Sequence, residues 1–546
     1  MAKICLCLTG KTLSGNLELL EKHRKYIDMA ELRVDCLDPD ENFYIRHFPE
    51  QAGIPVILTI RRKIDGGYFL SGEGARVTLL SRGLAFAEAD KRHNFAYVDL
   101  EEDLEVPGLE EAVRTFGTGI IRSSHNFEGV GDITGKIKSL RRIGDEIAKV
   151  AVMPRNLKDV QAIYRSGRET RKITKIIIGM GNYGVNTRIL AEKLGSFLSY
   201  ASAEEEQISG HTPEDELSLS ALGQISPREM AEQYRFRDIN SETDIYGVVG
   251  FPLATSYSPL IFNTLFNREK INAVYVPFPA QNLDYFFELA RDLNIKGASV
   301  TIPYKEEIIS HLSNVSGSVR AAGACNTIKA INSIDESAVA SIESAGASIK
   351  SAAASIGWSG INTDTLGFSE SLLGFLDKKN LRGQKITVIG AGGAARAVVS
   401  EIFRLKGKCL ILNRTPARAR ELALHYGYKW GGLDSQALDI MERYSDIIIQ
   451  TSPAGTFPDT DDDPFELYHF NGHETVMDLV YNPPETVFLK RAKATGCNVL
   501  NGVDMLVRQA KYQYQYFFDR DFPEQFIPVL MGILQNRKEH HEKEKK

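Results

Sequence analysis

The 546-residue chain has no run approaching the ~18 apolar residues that a membrane-spanning helix requires, which argues against a helical membrane protein. Its opening, "MAKICLCLTG", carries one lysine and a short apolar run, without the long apolar stretch and small-residue cleavage site of a secretory signal. The six cysteines (Cys5, Cys7, Cys36, Cys325, Cys409, Cys497) are scattered, and none sits beside histidines at metal-ligand spacing. Reduced thiols in a cytoplasmic protein, with no metal, are the expectation. Nor is there an excess of positive charge: 65 Lys and Arg face 71 Asp and Glu, for a net charge of -6. Nothing electrostatic points to nucleic acid.

What is present is an ordinary globular composition, 43% hydrophobic and 25% charged, in a chain too long for one core. Residues 1–240 alternate short β-rich runs with helix-length connections: "ICLCL", "AELRVD", "PVILTIR", "FAYVDLEE", "GIIRSSH", "KVAVMP", "TKIIIGMG" and "SFLSYAS". That rhythm matches an α/β fold, a parallel (β/α)8 TIM barrel, with a doubly wound open sheet as the rival; even spacing favours closure. A polar linker at 233–244 follows, after which the βα rhythm restarts with "IYGVVGFPLATSYSP". A second break near 365–385 precedes "KITVIGAGGAARAVVSEIFRL", and the chain ends on the charge run "RKEHHEKEKK". Residues 331–357 form an alanine- and serine-rich island, expected as a surface excursion.

Strand side chains alternate between faces. Glu31, Arg33 and Asp35 then share one face of "ELRVD"; Thr59 and Arg61 share one face of "ILTIR", and Asp99 and Glu101 one face of "YVDLEE". In "KVAVMP", Lys149 lies with Ala151 and Met153, away from Val150 and Val152. Charges of both signs would converge on the barrel axis, either as a structural ion-pair network or as a catalytic site. Parity alone leaves both open. A lysine kept desolvated or near cations can be a neutral nucleophile that forms a Schiff base with a ketone. His125, in "RSSHNF" at the end of the preceding strand, adds a group that titrates near neutrality.

The motifs "ELRVD", "TIRRKIDGG", "SSHNF", "KVAVMP", "GVNTR" and "SALGQIS" occur in an order and spacing that resembles type I 3-dehydroquinate dehydratase. The resemblance implies that Lys149 forms the imine and that His125 is the general acid and base. It places Glu31, Arg33, Arg61, Asp65, Arg188, Ser220 and Gln224 around the substrate. Arg61 and Arg188 suit its carboxylate by charge and by fork geometry. Three departures stand out: Asp65 where the family usually has glutamate, Leu222 for proline in the "SALGQ" loop, and a long "AEEEQISGHTPEDEL" segment before it.

Further on, "TVIGAGGAARA" is a strand followed by G-x-G-x-x-A (Gly390, Gly392, Ala395) opening a helix, the arrangement that lets backbone approach a pyrophosphate. The next strand, "KCLILNR", ends in Asn413 and Arg414, followed by Thr415 and Arg418, where an NAD site would place a carboxylate. Arginine attracts a 2′-phosphate, so NADP is the expected cofactor. Upstream, Ser256, Ser258, Thr301, Asn326 and Asp364 could bind hydroxyls of a small polar ligand, and Lys305 with Asp364 could transfer a proton beside a hydride acceptor.

"SYS", "VTIPYK", "CNT", "NTDTLG", "GAGGAARA", "NRT" and "NGVDMLVRQA" together resemble shikimate dehydrogenase over roughly 244–535. The resemblance implies a Lys305–Asp364 catalytic pair. Substrate contacts would come from Ser256, Ser258, Thr301, Asn326, Tyr481 and Gln509. The cofactor would contact Gly390, Gly392, Gly393, Ala394, Asn413, Arg414, Thr415, Arg418 and Gly502. It also implies a discontinuous substrate domain. The expected domains are a barrel at 1–238, a substrate-binding α/β domain at 244–365 plus 503–535, a Rossmann NADP domain at 366–502, and a tail at 536–546.

Such a chain would turn 3-dehydroquinate into 3-dehydroshikimate and then reduce it to shikimate with NADPH, the dehydratase needing nothing beyond its lysine. The expected partners are small molecules. Because the chain begins at its first barrel strand, a bacterial cytoplasmic enzyme is expected over a processed plastid one. A quinate-preferring second half and a catalytically weak regulatory relative are the alternatives. The pair of serines and the presence of Lys149, His125, Lys305 and Asp364 weigh against them. If the 2′-phosphate reading holds, Arg414→Ala weakens NADPH much more than NADH in steady-state kinetics; equal losses contradict it.

Overall fold

The computed structural model describes residues 1–85, 90–203, 225–253, 256–333 and 355–534. The chain divides into two compact units, Met1–Asp244 with Phe266–Asn294, and Ile245–Leu265 with Ile295–Lys546. Among the described residues no helix is long and apolar enough to cross a membrane.

The first unit holds eight parallel strands: β1 (Lys3–Leu8), β2 (Met29–Arg33), β3 (Val56–Thr59), β4 (Tyr97–Glu101), β5 (Gly119–Asn126), β6 (Ile147–Val152), β7 (Lys175–Gly179) and β8 (Leu198–Ala201). They follow the order β7-β6-β5-β4-β3-β2-β1-β8, and the ring closes through one bridge between Lys175 and Ser196. The barrel expected from the spacing is therefore the fold. Its interior is layered by side-chain parity. Met29, Ile57, Ile121 and Ile147 fill the lower layer. Two residues on along the same strands, Glu31, Thr59, Ser123 and Lys149 stand above them, all buried. Apolar packing at the bottom thus frees the C-terminal ends for chemistry, as barrels of this kind require.

Three local details differ from the sequence reading. Strand β6 begins at Ile147, so Lys149 sits within it, paired across to Ser123 and Ile176. Arg61 lies just beyond β3, which ends at Thr59. Asp35 leaves the strand face because Val34–Cys36 winds into a 3-10 turn. The turn is stabilised by what the carboxylate gains: Arg33 donates to it at 2.7 and 3.0 Å, and the backbone N–H groups of Arg61 and Tyr68 at 3.1 and 3.0 Å.

In the second unit, the strand Ile295–Val300 runs parallel to Asp244–Gly250 and antiparallel to Thr327–Ser333. Thr327–Ser333 pairs with Ser355–Ile361, so the described ends of the 331–357 island are hydrogen-bonded strands; residues 334–354 lie outside the described residues. The expected tail at 536–546 lies outside them too. A separate parallel sheet follows the order Lys429–Gly431, Lys408–Leu412, Lys385–Ile389, Ile447–Gln450, Thr475–Asp478, Asn498–Leu500. Numbered along the chain this is 3-2-1-4-5-6, the order of dinucleotide-binding sheets, with its crevice beyond the ends of strands 1 and 4.

The Asp35 turn yields a stability prediction. Burial opposes its charge, but Arg33 outweighs burial and holds the carboxyl below its ordinary value of 3.8. Breaking a buried pair costs about 3–5 kcal/mol. Asp35→Asn should lower the urea midpoint accordingly at pH 7. Since the native carboxyl titrates lower than the unfolded one, the difference from wild type should shrink as pH falls below 3.8. A pH-independent difference contradicts the assignment.

Candidate functional site

In the barrel, Lys149 is buried and its Nζ donates to Asp99 Oδ2 at 2.7 Å and to Glu31 Oε1 at 3.4 Å. The Tyr200 ring covers the same nitrogen, 4.5 Å from the centroid. Arg61 lies across from the lysine, donating to Asp99 at 2.9 Å, Glu101 at 2.8 Å and Ser123 at 3.1 Å. Burial works against the charge on Asp99, but Arg61 and then Lys149 outweigh it and hold the carboxyl well below the usual range.

His125 lies on the same face of β5, one pair further along than Ser123, the partner of Lys149. Burial first, then Arg61 and Lys149, push its imidazole well below the ordinary value, so it is neutral at pH 7. Its Nδ1 is buried without a hydrogen-bond partner among the described residues. Arg188, on the helix Gly181–Ile189 after β7, is also buried and finds no carboxylate among the described residues; burial pulls its guanidinium down to about 10. Arg61 already holds two carboxylates, so of the two arginines matched to a substrate carboxylate, Arg188 is the one with no carboxylate partner among the described residues.

Glu31 joins the cluster directly, and also accepts from Thr59 at 3.0 Å. Arg33 is tied to Asp35, and Asp65 accepts from Arg62 at 2.6 Å in the turn after β3. Ser220, Gln224 and the Leu222 departure lie outside the described residues. Parity had already put Asp99 and Glu101 on the inner face without choosing them as site residues. Tyr200 was missed altogether, although the alternation of "SFLSYAS" carries the signal.

In the second unit, a cavity of about 280 Å³ is lined by Ser256, Ser258, Thr301, Lys305, Asn326, Asp364, Tyr481 and Gln509, together with Ala394 and Gly502. Lys305 Nζ donates to Asp364 Oδ2 at 2.6 Å. Asn326 Nδ2 donates to the other carboxylate oxygen at 2.8 Å and to Gln509 Oε1 at 3.4 Å. The helix Thr363–Leu376 presents Asp364 in its first turn, capped by Asn362, whose side chain accepts from the Asp364 N–H. Gln509 arrives from the helix Gly502–Phe518, so one network gathers residues far apart in the chain. The Tyr481 ring lies tilted against Tyr257, with centroids 5.2 Å apart, and burial, then Tyr257, pushes its phenol up to about 12. Residues missed in the sequence include Thr363, which donates its backbone N–H to Asn326 at 2.8 Å, and Thr451, which lines the cavity.

The glycine-rich turn meets this cavity. Gly390 has φ +119°, a conformation L side chains rarely adopt, and a Cβ there would strike Thr451 at the crevice between strands 1 and 4. A Cβ on Gly393 would fall 2.8 Å from the Lys305 Cβ, so only glycine lets the turn lie against that stem. In front of the helix Gly393–Arg404, a Cβ on Gly392 would meet nothing within 4 Å, leaving room for a phosphate group. Asn413, Arg414, Thr415 and Arg418 follow the neighbouring strand, and Arg414 and Arg418 are exposed. They do not line the cavity. Among the described residues no cluster of His, Cys, Asp and Glu is arranged to hold a metal.

The fold and sites define a two-unit α/β protein, a barrel built around a caged lysine and a dinucleotide-type unit with a lysine–aspartate cavity. Family models agree: type I 3-dehydroquinase matches residues 4–241, the shikimate dehydrogenase substrate binding domain 248–328, and shikimate/quinate 5-dehydrogenase 375–461. The chain belongs to the shikimate dehydrogenase family, and its first half matches the type I 3-dehydroquinase model. It is similar to a bifunctional 3-dehydroquinate dehydratase/shikimate dehydrogenase from Arabidopsis thaliana, 26% identical over 94% of this chain and 82% of that protein. It is 33% identical to an NADP(+) shikimate dehydrogenase from Caldanaerobacter subterraneus, across 52% of this chain and 96% of that one. A solved dehydroquinate dehydratase and shikimate dehydrogenase from S. pombe aligns at 22% identity over 98% of both chains, with a TM-score of 0.40.

The state of His125 can be checked without substrate. In an NMR titration its ring nitrogens should read as neutral imidazole at pH 7 and protonate only well below 6.5. An imidazolium signal at pH 7 contradicts the burial argument.

Proposed function

We propose that the chain dehydrates 3-dehydroquinate to 3-dehydroshikimate in the barrel and reduces that product to shikimate with NADPH in the second unit. The observation that carries this reading is that each unit brings the lysine singled out in its sequence into a carboxylate-bound, largely buried site, Lys149 on Asp99 and Lys305 on Asp364. In the barrel, the Lys149 ammonium gives one proton to the site, and the resulting amine adds to the ketone. The carbonyl oxygen leaves as water, taking one proton from the amine and one from the site, and nitrogen keeps the positive charge as an iminium. Glu31 and Asp99 stabilise that charge. Neutral His125 removes the proton next to the iminium carbon and returns a proton to the departing hydroxyl; water then adds to the iminium carbon and the C–N bond breaks, freeing the ketone product and Lys149. Arg188 receives the substrate carboxylate, while Arg61 holds Asp99 ionised. Arg33, Asp65, Ser220 and Gln224 complete the reading as substrate contacts by family resemblance.

In the second unit, NADPH supplies a hydride when bound. Gly390, Gly392, Gly393 and Ala394 would cradle its phosphates, Asn413, Arg414, Thr415 and Arg418 its 2′-phosphate, and Gly502 its nicotinamide end. Ser256, Ser258, Thr301, Asn326, Tyr481 and Gln509 orient the ring of hydroxyls, and Lys305, paired with Asp364, delivers the proton to the reduced oxygen. Within this reading the dehydratase occupies 1–238, the substrate-binding domain 244–365 with 503–535, the NADP domain 366–502 and the tail 536–546. A cytoplasmic setting belongs to the same reading, with the six free thiols in its support.

Supplying 3-dehydroquinate and NADPH to the full chain should yield shikimate. Lys149→Ala should stop the sequence at 3-dehydroquinate, and Lys305→Ala should let 3-dehydroshikimate accumulate with the reduction slowed about 10²–10⁴-fold. Shikimate formed at the wild-type rate by either variant overturns the corresponding half.

A further inference from the structure

We propose that the ring of Tyr200 is a catalytic wall of the lysine site, binding positive charge on the Lys149 nitrogen through its π face before and after that nitrogen joins the substrate. The inference rests on the imine reading above and assigns a residue to it that the motifs did not.

Tyr200 lies on β8, next to β1 in the ring and remote in sequence from the motif residues of β2, β5 and β6. Its side chain faces the barrel interior, where it is only 4% exposed. Its ring centroid is 4.5 Å from Lys149 Nζ, inside the roughly 6 Å over which a ring face attracts a cation. Two other contacts of the nitrogen are taken by carboxylates, Asp99 from β4 and Glu31 from β2. Arg61, His125, Cys5 and Cys7 complete the titratable surroundings on β1, β5 and the end of β3. The attraction acts in a desolvated space, where it is strongest.

The chemistry explains why a ring belongs there. An ammonium has three N–H donors, enough for both carboxylates. Once nitrogen has joined the ketone and water has left, the iminium has one N–H, and both hydrogen bonds cannot be kept. A ring face needs no donor, so its attraction to the charge survives the change. The ring also remains a neutral donor of π density: burial, then Glu31, pushes the phenol well above its ordinary value. Its hydroxyl is buried without a hydrogen-bond partner among the described residues, so the ring rather than the hydroxyl makes the contact with the lysine.

Fluorination weakens a ring's hold on a cation while hardly changing its size. We would replace Tyr200 in the full chain by Phe and by mono-, di- and trifluoro-phenylalanine, then measure dehydratase kcat and the borohydride-trapped mass on the Lys149 peptide with 3-dehydroquinate. Tyr200→Phe should stay within about twofold of wild type. Each fluorine should lower both readouts, for a total fall of roughly three- to thirtyfold. Tyr200→Leu should lose at least as much. A flat fluorine series, or a Phe variant as impaired as the Leu variant, overturns the role of the ring. No trapped mass in wild type would instead overturn the imine reading itself.

Discussion

One buried carboxylate organises the barrel. Asp99 is fully enclosed and accepts from Arg61, Ser123 and Lys149, so a negative charge that would be intolerable alone is shared among three donors. Removing either cation would leave it uncompensated, at a cost of several kcal/mol. The same charge keeps Lys149 oriented, while burial first, and then the two cations that Asp99 binds, keep His125 neutral. Orientation of the nucleophile and protonation state of the base therefore both depend on one enclosed cluster, and the apolar lower layer supports it by excluding water from beneath.

The second unit solves a related problem with amides. Asp364 is held by Lys305 on one oxygen and Asn326 on the other, and Asn326 is itself held by Thr363 and reaches Gln509. Amide and hydroxyl groups leave hydrogen-bonding capacity facing the cavity, which suits a ligand rich in hydroxyls. The close approach of Gly393 to Lys305 then sets the glycine-rich turn beside the proton-transfer pair, where hydride and proton must arrive on one carbonyl.

Much of this was legible early. Eight evenly spaced β-rich runs separated by helix-length connections favour a parallel barrel over an open doubly wound sheet, because right-handed crossovers at even spacing suit closure. The strand-turn-helix around Gly390 was equally readable. Parity placed Glu31, Asp99 and Lys149 on one face, yet it misplaced Asp35, whose 3-10 turn depends on donors from Arg33, Arg61 and Tyr68 that no local pattern reveals. Tyr200 went unnoticed because its significance lies in a contact across the barrel rather than in its own strand.

By itself, then, the sequence determined which residue types face the axis, where the phosphate-binding turn opens a helix, and which lysines stand among polar neighbours. These follow from periodicity and backbone sterics, which act over a few residues. Only the tertiary structure decided which charges cancel. Arg61 and Arg188 look interchangeable along the chain, but closure of the barrel puts two carboxylates against the first and none, among the described residues, against the second. Charge in a low-dielectric interior is governed by distance, and distance between β3, β4 and β7 exists only once the ring has closed.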